Sequence, residues 1–150
     1  MVRAELEYNE GVLGKEYETG TYRITRELIA DFVEAVGETN PLFADEEAAS
    51  RGPFGGIIAP PALPNILVDD WEPPELGLKF EGVLYLASHW VEPLAPIRPG
   101  DVLKATSRVV DVYAKTGRSG PMAFVVMETT LTNQEGVQVA RVGRSNVRRR

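Results

Sequence analysis

The 150-residue sequence contains no cysteine and a single histidine, His89. The first absence excludes disulfides, thiolate metal sites and a cysteine nucleophile, and it accords with a reducing cytoplasm. The second excludes any mechanism that draws two imidazoles from this chain. No apolar run approaches the roughly 20 residues needed to cross a bilayer, and the opening MVRAELEYNE lacks the apolar stretch of an export signal. Basic residues are outnumbered, 16 Lys and Arg against 22 Asp and Glu, for a net charge of −6. That balance argues against nucleic acid as the main partner. Also absent are a GxSxG, a P-loop and a GxGxxG that opens a helix after a strand. Asp69, Asp70 and the acids of EEAA have no spaced histidines or oxygen ligands around them, so no metal site is expected.

What is present suits one domain over residues 1–150, because 43% hydrophobic residues can form a core without staples. The segment over residues 25–36 is amphipathic: Leu28, Ile29, Phe32, Val33 and Val36 form one apolar stripe, with Thr25 as N-cap and Gly37 as the residue past the C-terminus. Asp45 is placed to cap a short second helix. The stretch RGPFGGIIAPP is too rich in glycine and proline to be regular. The following ALPNILVDDW reads as a buried helix beginning near Pro61, where a missing N–H is harmless. From there the texture is that of strands. VLYLASHWVEPL, DVLKATSRVVDVYA, MAFVVMETTLTN and VQVARVGRSNVR are separated by turn-like clusters, and they read as an antiparallel meander preceded by a fifth strand near residues 17–24. In the third of these, Val125, Met127, Thr129 and Leu131 fall on one face. The class is α+β, with a long antiparallel sheet wrapped around a central helix.

Three stretches carry a more specific likeness: ADFVEAVGETNPLFADEEAASRGPFGGIIAPPAL, with its Asn-Pro-Leu followed by an acid three residues on; GGIIAPP at the entry to the central helix; and PIRPGD. Together they resemble the MaoC-like hydratases and dehydratases of the hot-dog superfamily, in the FAS1-like or N-terminal MaoC dehydratase branch. The resemblance implies a lyase activity, reversible addition of water to a 2-enoyl thioester carried on CoA or acyl carrier protein, with no separate cofactor. It implies a carboxylate and an imidazole that share one water, and a backbone N–H that stabilises the enolate. It also implies assembly, either as a homodimer or as a hetero-oligomer with a catalytic MaoC-like subunit.

Carried over residue by residue, the carboxylate position is Glu38, one methylene longer than the family's Asp. Asn40 and Pro41 match. The imidazole position is Phe43. The His-Gly that opens the central helix in catalytic members is Pro60-Pro61 here, so the residue expected to donate its N–H is a proline, which has none. The resemblance therefore points to a substrate-binding, catalytically degenerate subunit, with Phe43, Gly55, Gly56, Ile57, Pro60 and Pro61 around the acyl thioester. Asn40 orients the loop. Arg98, together with the arginine-rich end RVGRSNVRRR, is a candidate contact for phosphate. The alternative is a self-sufficient hydratase or thioesterase with Glu38 as base. His89, in a strand beside Trp90, reads as a packed or interfacial residue.

Overall fold

A computed structural model describes residues 5–150; residues 1–4, the head of the segment read as lacking an export signal, lie outside it. Its strands are β1 (Tyr17–Arg23), β2 (Val83–Pro93), β3 (Val102–Gly117), β4 (Gly120–Thr132) and β5 (Gln138–Arg149). They form one antiparallel sheet in the order β1-β3-β4-β5-β2. The five expected strands are all present, but only β3, β4 and β5 make a meander. β2 leaves its sequence neighbour β3 and pairs with β5 at the opposite side of the sheet. The physical reason lies in the connection: Pro93, Pro96 and Pro99 cannot donate to a ladder, so the segment from 94 to 101 crosses over instead of turning back.

Three helices sit between β1 and β2. Helix α1 (Arg26–Val36) is capped as its sequence dictates, with Thr25 Oγ1 accepting from the Leu28 N–H and Gly37 in the left-handed region at φ 68°. Helix α2 (Glu46–Arg51) begins at Asp45, whose carboxylate accepts from the Ala48 N–H. The central helix is shorter than expected. After a turn closed by Leu63 N–H to Pro60 C=O, only Pro64–Leu67 is regular α3, and Val68 is already extended. Pro60, Pro61 and Pro64 remove three backbone donors from this stretch. Arg144 donates to the Asn65 carbonyl of α3 and to Asp70 beyond it.

The concave face of the sheet carries Leu103, Ala105, Ser107 and Val109 from β3 and Val125, Met127, Thr129 and Leu131 from β4, all buried. A bulge between Val109 and Asp111 turns Val110 outward and returns Val112 to the inner face. Ile29 and Val33 of α1 pack with Phe43, Leu63 and Leu67 against Leu103, Leu131 and Val142. A second cluster, of Val12, Leu76, Val109, Val112, Val125 and Met127, fills the other end. Fully buried leucines such as Leu103 and Leu131 each contribute about 1.5–3 kcal/mol. Between the two clusters runs a chain of hydroxyls, Thr19 to Ser107 at 2.7 Å and Ser107 to Thr129 at 2.6 Å.

Candidate functional site

Asn-Pro-Leu and GGIIAPP, close in sequence, meet PIRPGD from the other side of β2. The Asn-Pro-Leu turn follows α1, where the Glu38 N–H bonds the Val33 carbonyl and closes the helix. Asn40 then caps the short 3-10 turn Pro41–Phe43, its Oδ1 accepting from the Leu42 N–H at 3.0 Å. The GGIIAPP segment is stitched to this turn by Ile58 N–H to Leu42 C=O at 3.3 Å. On its other side Ala59 N–H bonds Ile97 C=O at 2.7 Å, within PIRPGD. Asp101 closes that last motif: one carboxylate oxygen accepts from the Arg98 N–H at 2.8 Å, the other from Gln134 at 3.0 Å, so its buried charge is hydrogen-bonded on both sides.

An apolar pocket of about 250 Å³ opens where the segments converge, walled by Phe54, Ile58, Pro61, Leu94, Pro96 and Ala140 among others. Pro60 also lines it. All of its lining side chains are apolar. Of the residues singled out in sequence, Pro60 and Pro61 reach the pocket. Ile57 is buried in the core, and Phe43, with 8% of its surface exposed, is packed in the same cluster. Gly55 sits at φ 70° and gives its N–H to Gly52 C=O, so it shapes a turn. Gly56 lies beside it, half-buried.

Glu38 is exposed. Its Oε1 accepts the N–H groups of Thr39 and Asn40 at 2.9 and 3.0 Å, so the carboxylate is engaged with its own loop. Phe43 is buried in the core, and Pro61, which has no N–H, lines the pocket. Arg98 donates to Phe54 C=O at 2.6 Å and braces the wall of the pocket from the exposed side.

Sequence reasoning missed a second group, around the short central helix. His89 of β2 and Arg144 of β5 are cross-strand partners. His89 Nδ1 lies 3.1 Å from Asn65 Oδ1, and Arg144 donates to the Asn65 carbonyl at 3.0 Å. An amide oxygen only accepts, so in this contact Nδ1 is the donor. The arginine-rich end, singled out with Arg98 as a candidate phosphate contact, is largely engaged within the chain. Arg141 pairs with Glu92, Arg144 with Asp70 and Arg148 with Glu72, while Arg150 lies over the Phe80 ring. The acids at positions 70 and 72, visible in the sequence, were the available signal.

Strand β2 is an edge strand exposed along almost its whole length, with Val83, Leu84, Tyr85, Leu86 and Trp90 each between 44% and 59% accessible. Among the described residues no helix is long and apolar enough to span a membrane.

A five-stranded antiparallel sheet with β2 returned to the far edge, and with a helix lying against its concave face, is the hot-dog fold. Residues 11–142 match the family described as FAS1-like, dehydratase domain region. The chain belongs to this family, within the MaoC-like hydratases and dehydratases. A "UPF0336 protein" of Saccharopolyspora erythraea is 31% identical over 140 residues, covering 87% of this chain and 85% of the relative. The MaoC-like dehydratase from Rhodospirillum rubrum superposes with a TM-score of 0.66 at 25% identity, covering 92% of this chain and 93% of the other. The C-terminally truncated HadBC complex from Mycobacterium tuberculosis, a 3R-hydroxyacyl-ACP dehydratase, shares the fold with a TM-score of 0.70. Its identity is 22%, with 91% and 96% of the two chains covered.

Proposed function

We propose that this chain is the substrate-binding subunit of a 3-hydroxyacyl-thioester dehydratase, working in the cytoplasm beside a hot-dog partner that supplies the acid–base pair. The observation that carries the reading is an apolar pocket at the helix entry beside a loop in which the family pattern puts the imidazole position at Phe43, which is buried, and the oxyanion donor at Pro61, which has no N–H. Hydration adds a hydroxyl to C3 of the enoyl thioester and a proton to C2; dehydration reverses both. Water needs a positioned base for this, and the enolate oxygen needs a donor. Here Glu38, the carboxylate in the family's base position, is committed to two loop N–H groups.

The bare edge of β2 supports the partner half of the proposal. Its outer backbone groups are a template for a further strand, and its apolar side chains on both faces would be covered by an edge-joined second sheet. That a solved relative of the same fold is a complex of paired chains is consistent with this. In the assembly Pro60 and Pro61 bound the acyl thioester, on CoA or acyl carrier protein, and Arg98 offers its remaining N–H groups to phosphate.

The test is to incubate the purified chain with a short 2-enoyl-CoA while following enoyl absorbance and free thiol together. Silence in both channels with the ligand still bound is the expected result. Absorbance loss that disappears in Glu38→Gln would replace the proposal with a self-sufficient hydratase. Release of thiol would replace it with a thioesterase.

A further inference from the structure

The apolar pocket is short of backbone donors as well as of polar side chains. Five of its lining residues, Pro60, Pro61, Pro64, Pro93 and Pro96, have no N–H. Four more have committed theirs. Ile58 donates to Leu42 C=O, Ala59 to Ile97 C=O, and Leu94 and Ala95 both to Val139 C=O, at 2.7–3.3 Å. The lining is also graded in depth. Ile58, Ala59, Val139 and Ala140 are buried and form the floor, while Pro61 and Leu94 are exposed at the rim. Arg98 stands outside the wall with one guanidinium nitrogen on Phe54 C=O and the rest of its side chain exposed. Polarity therefore runs one way, with hydrocarbon within and positive charge without.

That gradient matches an amphiphile with an apolar tail and an anionic head. Each methylene carried from water to the floor strengthens binding about fourfold. A hydroxyl or carbonyl oxygen carried to the same place leaves water without meeting a free donor, and a buried polar group left unsatisfied weakens binding about tenfold or more. The wall that favours carbon thus rejects oxygen.

We propose that the pocket takes the hydrocarbon end of an acyl chain, tail first, and leaves the thioester beyond the rim at Pro61, with its phosphates toward Arg98. The inference rests on the reading of the chain as an acyl-thioester-binding subunit and names its substrate class: thioesters whose acyl tail is plain hydrocarbon. C2 and C3, next to the thioester, then lie outside the pocket, where a partner's acid–base pair can reach them. Ala59 and Ala140, the smallest side chains on the floor, set how far the tail enters.

The experiment is calorimetric titration of the full chain with saturated acyl-CoAs of increasing length, each paired with a counterpart of equal length carrying a terminal hydroxyl. Affinity should climb about fourfold per methylene and level off once the tail reaches the floor. At that length the hydroxylated counterpart should bind about tenfold more weakly. Ala140→Ser puts an O–H donor on the floor and should recover most of that loss, with the plain ligand little changed. Ala140→Val fills the floor, so affinity should level off at a shorter chain while the shortest ligands bind as before. Thermal unfolding reports whether these variants fold, and Ala59→Ser and Ala59→Val serve if they do not. Affinity that ignores chain length, equal binding of plain and hydroxylated tails at every length, or a levelling point unmoved by added floor volume would overturn the proposal alone. Absence of binding by every acyl-CoA would remove the subunit reading itself, and this inference with it.

Discussion

The indole of Trp90 lies across Gly143, its partner in the β2–β5 ladder, so closely that a methyl group on Gly143 would stand 2.0 Å from the ring. Gly143 thus has no side chain because Trp90 occupies the space one would need. Gly143→Ala should lower stability by about 1–3 kcal/mol, the usual cost of overpacking. In a Trp90→Ala background the same substitution should cost much less. A double-mutant cycle from urea unfolding measures the difference, and equal costs in both backgrounds would refute the contact.

Phe43 and Glu38 sit five residues apart in one loop and should behave oppositely. Phe43→Ala removes a buried ring from the main cluster and is expected to cost about 3–5 kcal/mol. Glu38→Gln keeps an oxygen that can accept from Thr39 and Asn40, so its effect on stability should stay within about 0.5 kcal/mol. Chemical denaturation of the two variants side by side decides this.

Arg144 should matter more than the acid it pairs with. Asp70 has 58% of its side chain exposed, so Asp70→Asn is expected to change stability by less than about 1 kcal/mol. Arg144→Met also leaves the Asn65 carbonyl without its donor, and should cost about 1–3 kcal/mol. Amide hydrogen exchange should speed up in residues 65–72 for Arg144→Met alone.

Tyr22 gives a pH dependence with a defined sign. Its folded pKa is raised above the usual value of about 10, first by burial and then by Asp69, so the folded state holds the phenolic proton more tightly than the unfolded chain does. The stability linked to it is intact below about pH 10 and declines as pH rises from there through the folded value. Tyr22→Phe should lose stability less steeply over that window, as thermal unfolding at a series of alkaline pH values would show. Parallel curves for the two proteins would contradict the shift.

Local chemistry made much of this fold readable. Thr25, Gly37 and Asp45 signalled helix ends because capping involves residues a few positions apart. The alternation through β4 marked its buried face for the same reason. The destination of β2 was not readable, since pairing with β5 instead of β3 depends on contacts between distant segments. The length of α3 escaped as well: its apolar composition matched a longer buried helix, but Pro60, Pro61 and Pro64 crowd its start and Val68 is already extended. At the site, the family pattern drew attention to Asn-Pro-Leu and GGIIAPP, and of the residues taken from them Pro60 and Pro61 line the pocket. The hydroxyl chain was not legible. Thr129 stood in view as the one polar residue on an apolar face, but its partners Ser107 and Thr19 lie on other strands.

The crossing of β2 also bears on how the chain is made. β2 leaves the ribosome ahead of β3, β4 and β5, yet its ladder partner is β5. Until that strand is synthesised, a long run of Val, Leu, Tyr and Trp has neither a neighbour nor a layer above it. The nascent protein therefore passes through a period in which its most adhesive strand is unpaired on both edges, the condition under which aggregation competes with folding.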